Sequence, residues 1–232
     1  MSERKATGQK KRESQRDESR EVLLSGARLL GLCLDTRAVA AFERFLEALI
    51  KWNRKMNLTA LRERRTIVVR HFLDSLTLVR ELPHEGCLLD IGSGAGFPGI
   101  PLKIVMPELR VTLLEASRKK TYFHKHVIRS LGLSGIQTVW GRSDQDRVRA
   151  GFLNHFDLVV SRAALSLEAF LEDATRFIHP RGVIIAMRGK DGYARISLAP
   201  LSLELFRAVS VDLPFDRIQR SLLFFRRTGD QG

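Results

Sequence analysis

The segment Leu88-Leu89-Asp90-Ile91-Gly92-Ser93-Gly94-Ala95-Gly96-Phe97-Pro98-Gly99 constrains the fold of this chain more than any other. The apolar run from Cys87 to Ile91 reads as a short buried strand. The glycines after it permit a tight turn and let a ligand approach the backbone where a side chain would block it. A helix is expected from there to about Met106. Pro98 and Pro101 suit its first turn, where a missing N–H costs nothing, and the free N–H groups of that turn would face a ligand. Strand, glycine loop and helix together read as a nucleotide-type cofactor site; the alternative is a plain turn.

The downstream pattern fits a sheet built around that strand. Strands are expected at Val111–Glu115, Ile136–Trp140, Phe156–Ser161 and Val183–Met187, with late strands at Val209–Leu213 and Ser221–Arg226. Helices are expected at Ser117–Leu131 and Ser166–Ile178. Alternating strands and helices predict a doubly wound, Rossmann-like α/β fold with a mostly parallel sheet of about seven strands. Upstream, residues 21–83 read as a helical subdomain. Phe42, Phe45, Leu46, Leu49 and Ile50, then Ile67, Val68, Phe72, Leu73 and Leu76, recur mostly at three- and four-residue steps. The pattern stops near Pro83, leaving 84–228 as the sheet domain. Residues 1–20 are almost entirely polar, with Arg4, Lys5, Lys10, Lys11, Arg12, Arg16 and Arg20 among four acids. They read as a disordered basic arm or a plain solvated tail.

Charge bears on the partner. The chain of 232 residues carries 39 Lys and Arg against 26 Asp and Glu, a formal charge of +13. Such an excess favours an anionic partner, nucleic acid or an acidic membrane surface, or serves solubility alone. Two cysteines, Cys33 and Cys87, form no CxxC, which argues against a disulfide framework or a cysteine-rich zinc site; Cys87 is expected to be small and buried. No apolar run spans a membrane and no signal-peptide core opens the chain, so a cytoplasmic protein without a membrane partner is expected.

The glycine spacing alone does not choose the cofactor. Gly94-x-Gly96-x-x-Gly99 matches the dinucleotide fingerprint, which keeps an NAD(P)-dependent oxidoreductase open. Three features favour S-adenosylmethionine. Asp90 stands at the strand end, where its charge would repel a pyrophosphate and attract an amino group. Glu115 ends the next strand, 19 residues after Gly96, where an acid grips ribose hydroxyls. Ser161-Arg162-Ala163 ends the fourth strand at the same sheet edge.

The run Asp90 to Leu102 resembles the ribosomal small-subunit methyltransferase G family, also called glucose-inhibited division protein B. Lys51-Trp52-Asn53-Arg54-Lys55-Met56-Asn57-Leu58-Thr59 and Arg70-His71-Phe72-Leu73-Asp74-Ser75 resemble its N-terminal signatures. Thr112-Leu113-Leu114-Glu115 with Lys119-Lys120, and Phe156 to Ala163, resemble its second and fourth strands. The resemblance implies methyl transfer from S-adenosylmethionine to guanine N7 in 16S, small-subunit, ribosomal RNA, free or in the subunit, with no obligate protein partner. It places Gly92 and Phe97 in the cofactor loop, Glu115 at the ribose, Ser143 and Asp144 beside adenine, and Arg162 beside the cofactor and the RNA. The family commonly has Glu where this chain has Asp144, and Lys-Gly where it has Arg188-Gly189; Lys and Arg differ in geometry. A non-catalytic RNA-binding or ribosome-assembly protein is the third reading.

Guanine N7 carries a lone pair and no proton, so this reaction needs no general base, and no catalytic acid–base pair and no metal are expected. The candidate RNA contacts are Arg118, Lys119, Lys120, His71, Arg162 and Arg188. The three cations from Arg118 open a helix, where the dipole disfavours them, which points to phosphate. His71 contacts RNA or bonds Asp74, three positions on. Phe123, Val127 and Leu131 read as a core stripe, and Tyr122 and Trp52 as core-facing.

Overall fold

The computed structural model describes residues 2–162, 166–190 and 198–229, with side chains from residue 13 onward. Ala163 of the fourth-strand motif and the side chains of Arg4, Lys5, Lys10, Lys11 and Arg12 lie outside the described residues. The helices are α1 (Ser2–Leu29), α2 (Thr36–Met56), α3 (Arg64–Ile67), α4 (Asp74–Leu76), α5 (Gly99–Val105), α6 (Arg118–Leu131), α7 (Asp146–Phe152) and α8 (Leu167–Phe177). The strands are β1 (Gly86–Ile91), β2 (Leu109–Glu115), β3 (Ile136–Trp140), β4 (Phe156–Arg162), β5 (Ile178–Gly189), β6 (Leu203–Asp212) and β7 (Gln219–Arg227).

They form one seven-stranded sheet in the order β3-β2-β1-β4-β5-β7-β6. β1 to β5 pair in parallel, and β7 runs antiparallel between β5 and β6. The dinucleotide-binding order has no such inserted strand. Strand order reverses between β1 and β4, so the crevice for a ligand opens there, at the carboxyl ends.

Successive residues of each central strand serve opposite cores, as the two-residue period requires. Leu88, Leu158, Val160, Ile185 and Phe224 face α1, α2, α5, α6 and the 67–78 segment. Leu89, Val159, Ile184, Ala186 and Phe225 face α8 and Val148 of α7. The helical subdomain therefore shares one core with the sheet.

The amino terminus differs from its expectation. The polar stretch is helical, continuous with the apolar turn that buries Leu23 and Ala27. Arg16 pairs with Glu47 at 2.9 Å and Arg20 with Glu43 at 3.1 Å, both on α2. These pairs are exposed and individually weak, so the apolar turn anchors the helix. Two other expectations fail. Cys87 is half-buried rather than buried. Tyr122 is exposed, because the buried face of α6 carries Thr121, Phe123, His124, Val127 and Leu131 and Tyr122 lies off it. Trp52 is half-buried against Phe123 and His126. No helix among the described residues is long and apolar enough to cross a membrane, and no group of three or more His, Cys, Asp or Glu is arranged for a metal.

Candidate functional site

A cleft of about 390 Å³ opens over the carboxyl edge of β1, β2 and β4, within the size range of small-molecule sites. Gly92, Gly94, Phe97, Glu115, Lys120, Ser143 and Arg162 line it. Gly92, Gly94 and Gly96 all have positive φ, at 70°, 60° and 95°. Beside Gly94 a side chain would meet nothing nearer than the Gly92 carbonyl at 3.9 Å, so the loop backbone is open to a ligand there.

The loop is held from three sides. Glu115, at the end of β2, accepts the Gly94 N–H at 2.8 Å through Oε2 and the Ser117 N–H at 2.8 Å through Oε1. His124 of α6 donates from Nε2 to the Gly94 carbonyl at 2.9 Å, while its Nδ1 accepts from the Thr138 hydroxyl at 3.0 Å. A carbonyl can only accept, so the tautomer follows from the partners. Burial pushes this imidazole down to about 4 and keeps it neutral. Asp90 accepts the Gly99 N–H at 2.9 Å through Oδ2. It is fully buried, and burial pushes its carboxyl up to about 7.

Asp90 therefore stands behind the loop rather than in the cleft, and secures the start of α5. The first N–H groups of α5, expected to face a ligand, are occupied: Gly99 by Asp90, and Ile100 by the Gly96 carbonyl at 2.9 Å. A pyrophosphate needs such groups free, and here it would find them used.

Arg162 forms the opposite wall. Its NH2 donates to His71 Nδ1 at 2.9 Å, and its NH1 to the Asp74 carboxylate at 3.2 Å. Arg220 of β7 grips the same carboxylate at 2.7 and 3.0 Å. His71 belongs to a π-helical turn, Val68–Leu73, between α3 and α4. Its other nitrogen, Nε2, meets the Thr59 hydroxyl at 2.9 Å. Its ring stacks on Phe97 at 4.4 Å, and Arg162 covers the Phe97 ring at 5.1 Å. Burial, then the Arg162 charge, push the imidazole down to about 3. The expected His71–Asp74 bond is replaced by one bond from Arg162 to each side chain, since Arg162 reaches between them.

The other sequence candidates divide. Ser143 lines the cleft, but its hydroxyl donates to Asp173 of α8. Asp144 is exposed, turned out to Arg142 at 3.3 Å, and does not line the cleft. Gly96 is in the turn without lining the cleft. Arg118 and Lys119 are exposed, and Lys120 reaches the cleft. Arg188 is 8% exposed within β5, and burial lowers its pKa; a surface contact to RNA does not fit that burial. Sequence reasoning missed His124 and Thr138. The only trace was position: His124 and Val127, three residues apart, share the stripe with Leu131.

The family described as GidB, rRNA small subunit methyltransferase G, matches residues 38–222 of this chain. The chain belongs to the rRNA small subunit methyltransferase G family. A protein of that name from Caldanaerobacter subterraneus subsp. tengcongensis is 39% identical, over 91% of each chain. One from Geobacter metallireducens is 38% identical, over 92% of this chain and 98% of its own. Among solved structures, a mutant of MtNAS in complex with S-adenosylmethionine superposes with a TM-score of 0.57 at 16% identity, over 91% of this chain and 89% of its own. A SAM dependent methyltransferase from Aquifex aeolicus gives 0.53 at 15% identity, over 69% and 92%. These structures share the fold. Family and sheet order together set aside the oxidoreductase alternative.

Proposed function

We propose that this chain transfers a methyl group from S-adenosylmethionine to N7 of a guanine in 16S ribosomal RNA, free or within the small subunit, in the cytoplasm. As a member of its family it is an S-adenosylmethionine-dependent methyltransferase of small-subunit ribosomal RNA. The family resemblance implies guanine N7, and one observation supports that choice: among the described residues the cleft presents no side chain free to act as a base. His71 has both ring nitrogens engaged, His124 is spent on the loop, Asp90 is fully buried behind it, and each oxygen of Glu115 already accepts a backbone N–H. N7 needs none, since its lone pair attacks without losing a proton.

The residues present fit the cofactor. The backbone at Gly94 is open, Glu115 keeps lone pairs for ribose hydroxyls, and Arg162 and Phe97 close the side toward the helical subdomain. S-adenosylmethionine, when bound, supplies an electrophilic methyl group on a sulfonium. The chain contributes geometry and field: a rigid loop, a half-buried guanidinium and an apolar ring wall that orient the base for in-line attack and exclude water. The test is labelled-methyl transfer to unmodified 16S ribosomal RNA, naked and in assembled subunits, with the product base mapped. Label on guanine N7 is expected; label on an exocyclic amine or a ribose hydroxyl would overturn the assignment.

A further inference from the structure

Two large aromatic rings are left in solvent on one rim of the molecule. Tyr122 is 49% exposed and Trp140 47%. Domains ordinarily cover such rings, and a cluster left open marks a contact surface. Trp140 adjoins the cleft, and Arg118 links Tyr122 to it. The Trp140 indole N–H donates to the Ala116 carbonyl at 3.0 Å, and Ala116, Lys120 and Gly141 line the cleft. Arg118 joins the two rings: its guanidinium carbon is 5.8 Å from the Tyr122 centroid and 5.3 Å from that of Trp140. Arg147 is 5.4 Å from the Trp140 centroid and donates to the Trp140 carbonyl at 3.1 Å. The acids nearby are spoken for. Glu115 holds the Gly94 and Ser117 N–H groups, Asp144 faces Arg142, and Asp146 faces Arg149 at 4.0 Å.

We propose that this rim is the docking platform for an unpaired stretch of the RNA substrate, with bases stacked on Trp140 and Tyr122 and on the guanidinium planes of Arg118 and Arg147. Rings and arginine planes side by side are the surface on which unstacked bases lie. The occupant is RNA because the surface is cationic and open, the whole chain carries +13, and the family is one of RNA methyltransferases. Bases stacked here extend the RNA track from the rim to the methyl donor's cleft, which Lys120 shares. The inference rests on the ribosomal RNA reading above.

The experiment measures binding of the full chain to an unmodified small-subunit ribosomal RNA transcript, beside its affinity for S-adenosylmethionine. Trp140→Ala is expected to weaken RNA binding about tenfold or more, with cofactor affinity and salt dependence unchanged, since no charge is lost. Trp140→Phe keeps the ring and loses the indole hydrogen bond; it is expected to stay within about threefold of wild type. Tyr122→Ala, which removes a ring without opening the core, is expected to weaken RNA binding severalfold. Arg147→Ala should also flatten the salt dependence. Wild-type RNA affinity in both Trp140→Ala and Tyr122→Ala overturns the platform and leaves the methyltransferase reading standing, since the wild type still methylates. Equal losses in Trp140→Ala and Trp140→Phe, or a parallel loss of cofactor affinity, would mean that the indole only braces Ala116, and also overturn it. A wild type that neither binds nor methylates the transcript brings down both readings.

Discussion

Gly94 has both of its backbone groups tied to charged or titratable side chains from other elements, its N–H to Glu115 and its carbonyl to His124. The loop is thus set before a cofactor arrives, which lowers the ordering cost of binding. Replacing His124 with Ala leaves the Gly94 carbonyl and the Thr138 hydroxyl without that partner. A loss of about 1–3 kcal/mol in stability is expected, with S-adenosylmethionine affinity down about tenfold by calorimetry; His124→Gln, which can still donate, should recover part of it. Gly96→Ala acts differently. At a φ of 95° a side chain is strained, and its Cβ would run into Ile100 of α5. Cofactor binding should be lost while the far-ultraviolet circular dichroism stays native; normal binding would show that the turn is more yielding than its geometry implies. The glycine loop was legible because its constraint is local, a matter of which residue tolerates which φ. His124 was not, because its role exists only when β1, β3 and α6 come together, 30 residues from Gly94 and 14 from Thr138. Asp90 was half legible: an acid at the strand end is visible in sequence, but not that its carboxylate points back to Gly99.

Between elements, the decisive contact is the one that seats the helical subdomain on the sheet. Asn53 of α2 grips the following loop through the Thr59 N–H at 3.0 Å and the Thr59 and Leu61 carbonyls at 2.9 and 3.1 Å. That loop presents Thr59 to His71, His71 meets Arg162 of β4, and Asp74 draws Arg162 and Arg220 together. Asp74 is fully buried, so removing it strands two half-covered guanidinium groups. Asp74→Ala is expected to cost about 3–5 kcal/mol in urea unfolding. It should also loosen Phe97 and raise the KM for S-adenosylmethionine; a cost under about 1 kcal/mol would mean that the arginines find water instead. The central parallel strands were readable because they are largely apolar runs buried on both faces, whereas β3, at the sheet edge, has no buried residue. α7 went unseen because only Val148 of its seven residues is buried, which leaves no periodicity. α1 was misread because its polar turns have no apolar stripe; ion pairs to α2 that composition does not reveal accompany it.

For the whole molecule, charge and titration set two behaviours. The excess of +13 is spread over a chain whose partner is a polyanion, so RNA affinity should fall steeply and log-linearly with salt as counterions are released; a flat dependence would exclude the basic surface as the docking face. Between pH 6.5 and 4.5, three groups shifted by burial pull stability in opposite directions. His71 and His124 have folded values of about 3 and 4 against an ordinary 6.5. Between about pH 4 and 6.5 the unfolded chain therefore binds a proton at each that the folded chain refuses, and acidification destabilises the fold. Asp90 has a folded value of about 7 against an ordinary 3.8, so over the same range the folded chain holds a proton that the unfolded one has lost, and acidification favours the fold. Two protons against one leave a net loss of stability on acidification, on the order of 1.4 kcal/mol per pH unit. Urea midpoints should fall between pH 6.5 and 4.5. Asp90→Asn, which removes the opposing group, should steepen that fall, and His124→Gln should flatten it. The two variants moving the slope in the same direction would refute the assignment, since only a carboxyl held protonated and an imidazole held neutral by the same burial predict opposite signs.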